Sequence, residues 1–120
     1  MFVQSIPFDP LGDRAKSAGV LVPVSVLRQN RGDCDSKAVT YAALAHLLFA
    51  DLPIAMVLTE GHAYLGLGLP PRSGDQQIRR DGRTWTVAEP VGPRLTRVGE
   101  LGPDSQSKPS AIMGVVPLLP

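Results

Sequence analysis

"RGDCDSKAVTYAALAHLLFADLP", Arg31–Pro53, is the stretch on which the fold turns. From about Cys34 to Ala50 its residues Cys34, Ala38, Tyr41, Ala45 and Leu48 recur at helical spacing and form one face. Asp33 has the side chain of an N-cap, and Asp35 in the first turn suits the positive end of the helix dipole. The breaker "ADLP", Ala50–Pro53, ends the helix. Cys34, the single cysteine of the chain, thus opens a helix between two aspartates, directly after Gly32-Asp33. A cysteine of the interior belongs among leucines and valines, as a small hydrophobe.

Downstream of this helix the pattern changes period. "IAMVLT", Ile54–Thr59, is a short apolar strand, and "EG" turns the chain into "HAYLGLGL", His62–Leu69, which alternates strictly. "PPRSGDQQIRRDG", Pro70–Gly82, carries turn residues with a short strand around Gln77–Arg79. "RTWTVAE", Arg83–Glu89, alternates again, and "AIMGVV", Ala111–Val116, is a last strand. One helix followed by several antiparallel strands makes the class α+β. Upstream, "FVQSIPF", Phe2–Phe8, alternates like a strand or extended segment. "DPLGD", Asp9–Asp13, is a turn, and "LVPVSVLRQN", Leu21–Asn30, is an extended piece or a short helix after Pro23. Six of the twelve prolines fall within residues 90–120, which makes that segment a loop-rich tail. The 120 residues read as a single domain, 1–120. The abrupt start leaves room for elements of a longer protein.

Composition excludes some functions and leaves others open. A hydrophobic fraction of 43% and a charged fraction of 19% are those of an ordinary globule. A net charge of +1 gives no basis for a nucleic-acid partner or an acidic membrane surface. Arg79, Arg80 and Arg83 cluster near one turn as a solvated surface. One cysteine cannot close an intrachain disulfide, so compartment stays open, as does oligomeric state. The first ten residues, "MFVQSIPFDP", have neither the basic region nor the apolar core of a signal peptide. The longest apolar stretch, Ala38–Leu58, is interrupted by His46 and "ADLP" and does not read as a membrane span. No cluster at metal-ligand spacing stands out, so the chemistry is expected to need no metal and no cofactor.

The position of Cys34 points to reactivity. A thiol at the first turn of a helix feels the positive end of the dipole, which favours the thiolate. Gly32 is expected to let the backbone come close and to free space for a substrate. Asp33 and Asp35 oppose the effect, because neighbouring negative charge disfavours a second anion. An imidazolium is needed to offset them. His46, three turns along the helix, is too far to supply it. His62 opens an alternating strand with Tyr64, Gly66 and Gly68 on its face. If His62–Leu69 and Arg83–Glu89 pair antiparallel through residues 70–82, the first residue of one lies opposite the last of the other. His62 then faces Glu89, with Cβ atoms about 5 Å apart. A carboxylate there fixes the tautomer and stabilises the imidazolium, leaving the other ring nitrogen to the thiol. Cys34, His62 and Glu89 make a nucleophile, a base and an orienter; the competing reading is a cross-strand surface pair beside an inert thiol.

"GDCDSKA" opening a helix, "GHAYLGL" on a strand and "TWTVAEP" on the next together resemble the catalytic blocks of the transglutaminase-like superfamily, of papain-like fold. The likeness is greatest to bacterial cysteine-protease-like members. It extends to "FVQSIPF" and "VPVSVLRQNRGDCDSKA", from Phe2 to about Pro90. It implies a papain-like core with the cysteine at the N-terminus of a helix packed on an antiparallel sheet. It also implies Cys34 as nucleophile, His62 as general base and Glu89 as third member, where the family commonly has Asp. Gln4 resembles the upstream side-chain oxyanion donor of papain-like folds, with Gln29 a rival and the backbone N–H of Cys34 a second donor. Trp85 shares a face with Glu89 and either shields the His–Glu pair or packs the core. "RGD" at Arg31–Asp33 is incidental in a helix-cap context. The expected activity is thiol-dependent acyl transfer at amide bonds of a protein or peptide substrate. Water as acceptor makes a cysteine peptidase or amidase, and an amine makes a transglutaminase. The rival of another class is a non-catalytic binding domain on the same scaffold.

Overall fold

The computed structural model describes residues 2–9, 22–92, 95–102 and 112–119. Among them are helices α1 (Phe2–Ser5), α2 (Pro23–Gln29) and α3 (Cys34–Leu48) and strands β1 (Ile54–Thr59), β2 (His62–Leu67), β3 (Gln77–Arg80), β4 (Arg83–Ala88) and β5 (Gly114–Leu119). The class is α+β, and the five strands form one antiparallel sheet in the order β3-β4-β2-β1-β5.

Helix α3 forms where its spacing requires it, and it is covered on two sides. Ala38 and Ala42, with Tyr41 and Ala45, pack on Ile54, Leu65, Leu67 and Ala88 of the sheet. Leu48, expected on this face, is exposed, as are Leu47 and Phe49 beside it. A second stripe of Ser36, Lys37 and Thr40 is also buried, on the side where α2 and α1 contact the helix. Helix α2 has Pro23 at its first turn, and Asn30 ends it in the left-handed region (φ 50, ψ 48).

The first segment departs from its strand-like reading. Phe2–Ser5 is a helical turn, because Val3 and Ile6, three residues apart, both face the interior. Only beyond it does the chain extend, with Phe8 bridging Gly32 in parallel, and Gly32 N–H donating to the carbonyl of Pro7 (3.2 Å). This brings the N-terminal segment alongside the approach to Cys34. "DPLGD" lies outside the described residues apart from Asp9.

In the sheet, β3 and β4 join through Asp81-Gly82, both at positive φ (52° and 74°), the geometry of a two-residue hairpin turn. The β2–β4 pairing occurs, with Leu65 opposite Ala88 and Gly66 opposite Val87. Continued outward, this register sets Tyr64 against Glu89, two residues from the expected His62–Glu89 pair. An even slip keeps every side chain on its face, so His62 and Glu89 are diagonal neighbours on one face. Gly66 is required here, since a Cβ would stand 2.7 Å from that of Trp85.

Described residues of the tail pack against the core. Leu101, Ile112 and Val115 pack on Val57, Tyr64, Ile78 and Val87, covering the face of the sheet away from α3. With both faces covered, Ala63–Leu67 is buried throughout. Strand β5 runs on through Pro117 instead of stopping at Val116. Among the described residues it is an edge strand, paired with β1 and shifted in register beside Ala55, and edges accept proline. Ala111, the expected start of that strand, lies outside the described residues.

Candidate active site

The loop before α3 is built to hold the first turn in place. Asp33 is extended (φ −82, ψ −176), and its Oδ1 accepts from the N–H of Ser36 at 2.9 Å. Asp33 is 0% exposed, so the Arg-Gly-Asp tripeptide cannot be offered to a partner as an adhesion motif. Arg31 pairs with Asp9 at 2.8 Å. Gly32 is buried against the stem of Lys37, Ser36 and Val26; a Cβ there would meet Lys37 Cγ at 3.2 Å. Its small size therefore serves packing within the fold, not the space for a substrate expected from sequence. Cys34 follows as the first helical residue, with its thiol partly exposed and 3.5 Å from Asp35 Oδ1.

His62 begins β2 directly after Gly61, which takes φ 74 in the β1–β2 turn. Its Nε2 lies 3.1 and 3.3 Å from the two carboxylate oxygens of Glu89. Glu89, just past the end of β4, is 2% exposed. Its Oε1 also accepts from the N–H of Val91 and its Oε2 from that of Gly102, each at 3.3 Å. Burial disfavours the charged imidazole. Hydrogen bonding to the Cys34 side chain and to Glu89, with the negative charge of both, overcomes this and raises the His62 pKa from 6.5 to about 9. Both partners favour the imidazolium, with Glu89 on Nε2 and the Cys34 side chain as a second hydrogen-bonding neighbour. Tyr64 lies beside it, its ring centroid 6.0 Å away; burial and the charge of Glu89 raise the Tyr64 pKa.

The other candidates take different places. Gln4 is buried, and its amide is fully engaged. Nε2 donates to the carbonyl of Glu89 (2.7 Å) and to the carbonyl (3.0 Å) and hydroxyl (2.7 Å) of Thr96, while Oε1 accepts from the N–H of Thr96 (3.0 Å). No Gln4 donor remains for an oxyanion at Cys34. Gln29 accepts from Arg31 Nε at the surface (2.9 Å). Trp85 lies over Gly66, with the Arg83 guanidinium 5.0 Å above its ring. His46 is exposed in the last turn of α3.

Lys37 and Thr96 were not singled out by sequence reasoning. Lys37 is fully buried, and its Nζ donates to the carbonyls of Ile6 (2.7 Å) and Gln4 (3.5 Å). The signal for it was the polar stripe Ser36, Lys37 and Thr40, which marks a second contact face of the helix. Nothing local marks Thr96. Among the described residues no group of three or more His, Cys, Asp and Glu could hold a metal ion, and no helix is long and apolar enough to cross a membrane. Comparison with protein-family models, curated proteins and solved structures gave no significant match.

Proposed function

We propose that this chain is a thiol-dependent acyl-transfer enzyme acting on amide bonds of a protein or peptide, with Cys34 as nucleophile, His62 as acid and base, and Glu89 as orienter, in a transglutaminase-like domain with a papain-like core. The observation that carries it is the His62 imidazole, bound through Nε2 to the buried Glu89 carboxylate and hydrogen-bonded to the Cys34 side chain, both of which favour its protonated form. A surface pair beside an inert cysteine gives no reason to bury Glu89 and satisfy it with two backbone N–H groups.

The reaction follows from these positions. Cys34 Sγ, as thiolate, adds to the carbonyl carbon, and the oxyanion that forms is met by the N–H of Cys34 at the helix N-terminus. As the intermediate collapses, the C–N bond breaks and the imidazolium of His62 gives its proton to the departing nitrogen. The acyl group is left as a thioester on Cys34. Water then attacks the thioester as neutral His62 takes its proton, and the C–S bond breaks to release the carboxylic acid and restore the Cys34 thiolate beside the His62 imidazolium, which makes the enzyme a cysteine peptidase or amidase. An amine in place of water would make it a transglutaminase. Hydrolysis is the preferred reading, because Cys34 is partly exposed and water needs no dedicated acceptor channel.

The test is alkylation by iodoacetamide across pH. Cys34 should react well below pH 8, and His62→Ala should slow it. A profile following an ordinary thiol near pH 8.5 and unchanged in the variant would remove the assignment.

A further inference from the structure

Helix α1 has four residues, too few to be stable as an isolated helix. Its place is set by two sets of contacts. From one side Lys37, one turn after Cys34, donates to the carbonyls of Ile6 and Gln4. From the other, the Gln4 amide closes on the main chain where β4 ends, binding the carbonyl of Glu89 and both the N–H and the carbonyl of Thr96. Gly92 passes so close that a Cβ there would run into the carbonyl of Gln4. The carboxylate of Glu89 is aimed by the same segment, through Val91 N–H two residues on and through Gly102 N–H. Val91, which helps to orient the Glu89 carboxylate, thus lies between the two points that Gln4 grips, and Gly102 follows six residues after the second.

We propose that Gln4 is a positioning residue of the site: by holding the Glu89 main chain and Thr96, it keeps the Glu89 carboxylate on His62 Nε2, and through Lys37 it ties that placement to the helix carrying Cys34. This rests on the Cys34–His62–Glu89 reading, and it replaces an oxyanion role for Gln4 with one exerted at the opposite end of the site. A lysine is costly to bury, and burial lowers the Lys37 pKa, partly offset by the charge of Glu89. Lys37 nevertheless stays within the N-terminal half of α3, where the helix dipole also opposes it. Carbonyls at the end of α1 and the negative charge of Glu89 compensate.

The experiment compares Gln4→Met, which keeps length and removes the amide, with the pair Thr96→Val and Thr96→Ser. His62 is titrated by NMR in each, and melting is recorded alongside. The proposal expects the His62 pKa to fall by about one unit in Gln4→Met, tenfold in its protonation equilibrium. It expects a smaller fall in Thr96→Val and a wild-type value in Thr96→Ser, which retains the hydroxyl. Lower melting temperatures with His62 still titrating near 9 would make Gln4 a packing residue only and overturn the proposal. If Gln4→Met fails to fold, the Thr96 pair decides in the same way. The His62 titration needs no turnover, so it reads Gln4 even if His62→Ala leaves the thiol unchanged, the result that would end the catalytic reading instead.

Discussion

Replacing Glu89 by Gln removes one charge from the site and keeps its size. In the wild type His62 stands near 9 against an ordinary 6.5, a gap of about 2.5 pH units (9 − 6.5). Burial acts against that gap, so Cys34 and Glu89 together contribute more than the whole of it. An opposite charge at hydrogen-bonding distance contributes about 1–3 units. The partly wet ring places this one at the lower end, about 1–2. His62 should therefore titrate at about 7–8 in Glu89→Gln and remain above 6.5 while Cys34 is in place. The variant also loses an acceptor. One amide oxygen must serve His62, Val91 and Gly102, so either Val91 or Gly102 faces an NH2 group. A buried donor left unpaired costs about 1–3 kcal/mol, which melting should show. The assay is an NMR titration of the imidazole protons, with exposed His46 as internal reference. Glu89→Ala should lower the His62 pKa at least as far and leave the ring free to rotate. If His62 still titrates near 9 in Glu89→Gln, the carboxylate is not what holds the imidazolium, and the site reduces to Cys34 and His62.

Further outcomes concern stability. The folded pKa of His62 lies above its unfolded value, so its stabilisation is complete below about pH 6.5 and is lost as pH rises through 9; urea midpoints should fall across this window, and by less in Glu89→Gln, whereas equal slopes in both would exclude His62 as the source. Asp33→Ala removes the buried cap on Ser36 N–H and should cost about 1–2 kcal/mol by denaturant titration; an unchanged midpoint would mean that the cap contributes nothing. Gly66→Ala sets a methyl 2.7 Å from Trp85 Cβ and should cost about 1–3 kcal/mol, with the Trp85 fluorescence changed; a neutral result would show that the ring moves freely.

Much of the site was legible because its parts are local. Asp33 as a cap, Cys34 at the helix head, and His62 opening a strand after a glycine turn each depend on neighbours a few residues away. The His62–Glu89 contact survived a register wrong by two residues because faces repeat with that period. What was not legible depends on distant chain. Val3 and Ile6 fit both strand alternation and a helical turn, and only their burial against other segments distinguishes the two. Gln4 appeared free for an oxyanion because its partners, Glu89 and Thr96, are 85 and 92 residues away. Prolines made residues 90–120 read as a loop-rich tail with one last strand, and that pattern did not mark Leu101, Ile112 and Val115 as cover for the second face of the sheet.

The ends of the sheet bear on how this protein behaves at high concentration. An open antiparallel sheet presents unpaired N–H and C=O groups along its two outer strands, and another chain can add there. Here β3 is four residues long with Arg79 and Arg80 exposed, and the Arg80 guanidinium also reaches the carbonyl of Ile112 at 3.3 Å. At the far side Pro117 has no N–H to give, in the middle of an otherwise apolar β5. One border repels a like neighbour by charge, and the other breaks the row of donors that an added strand would need. Each described edge strand therefore carries a feature of the kind that opposes strand addition.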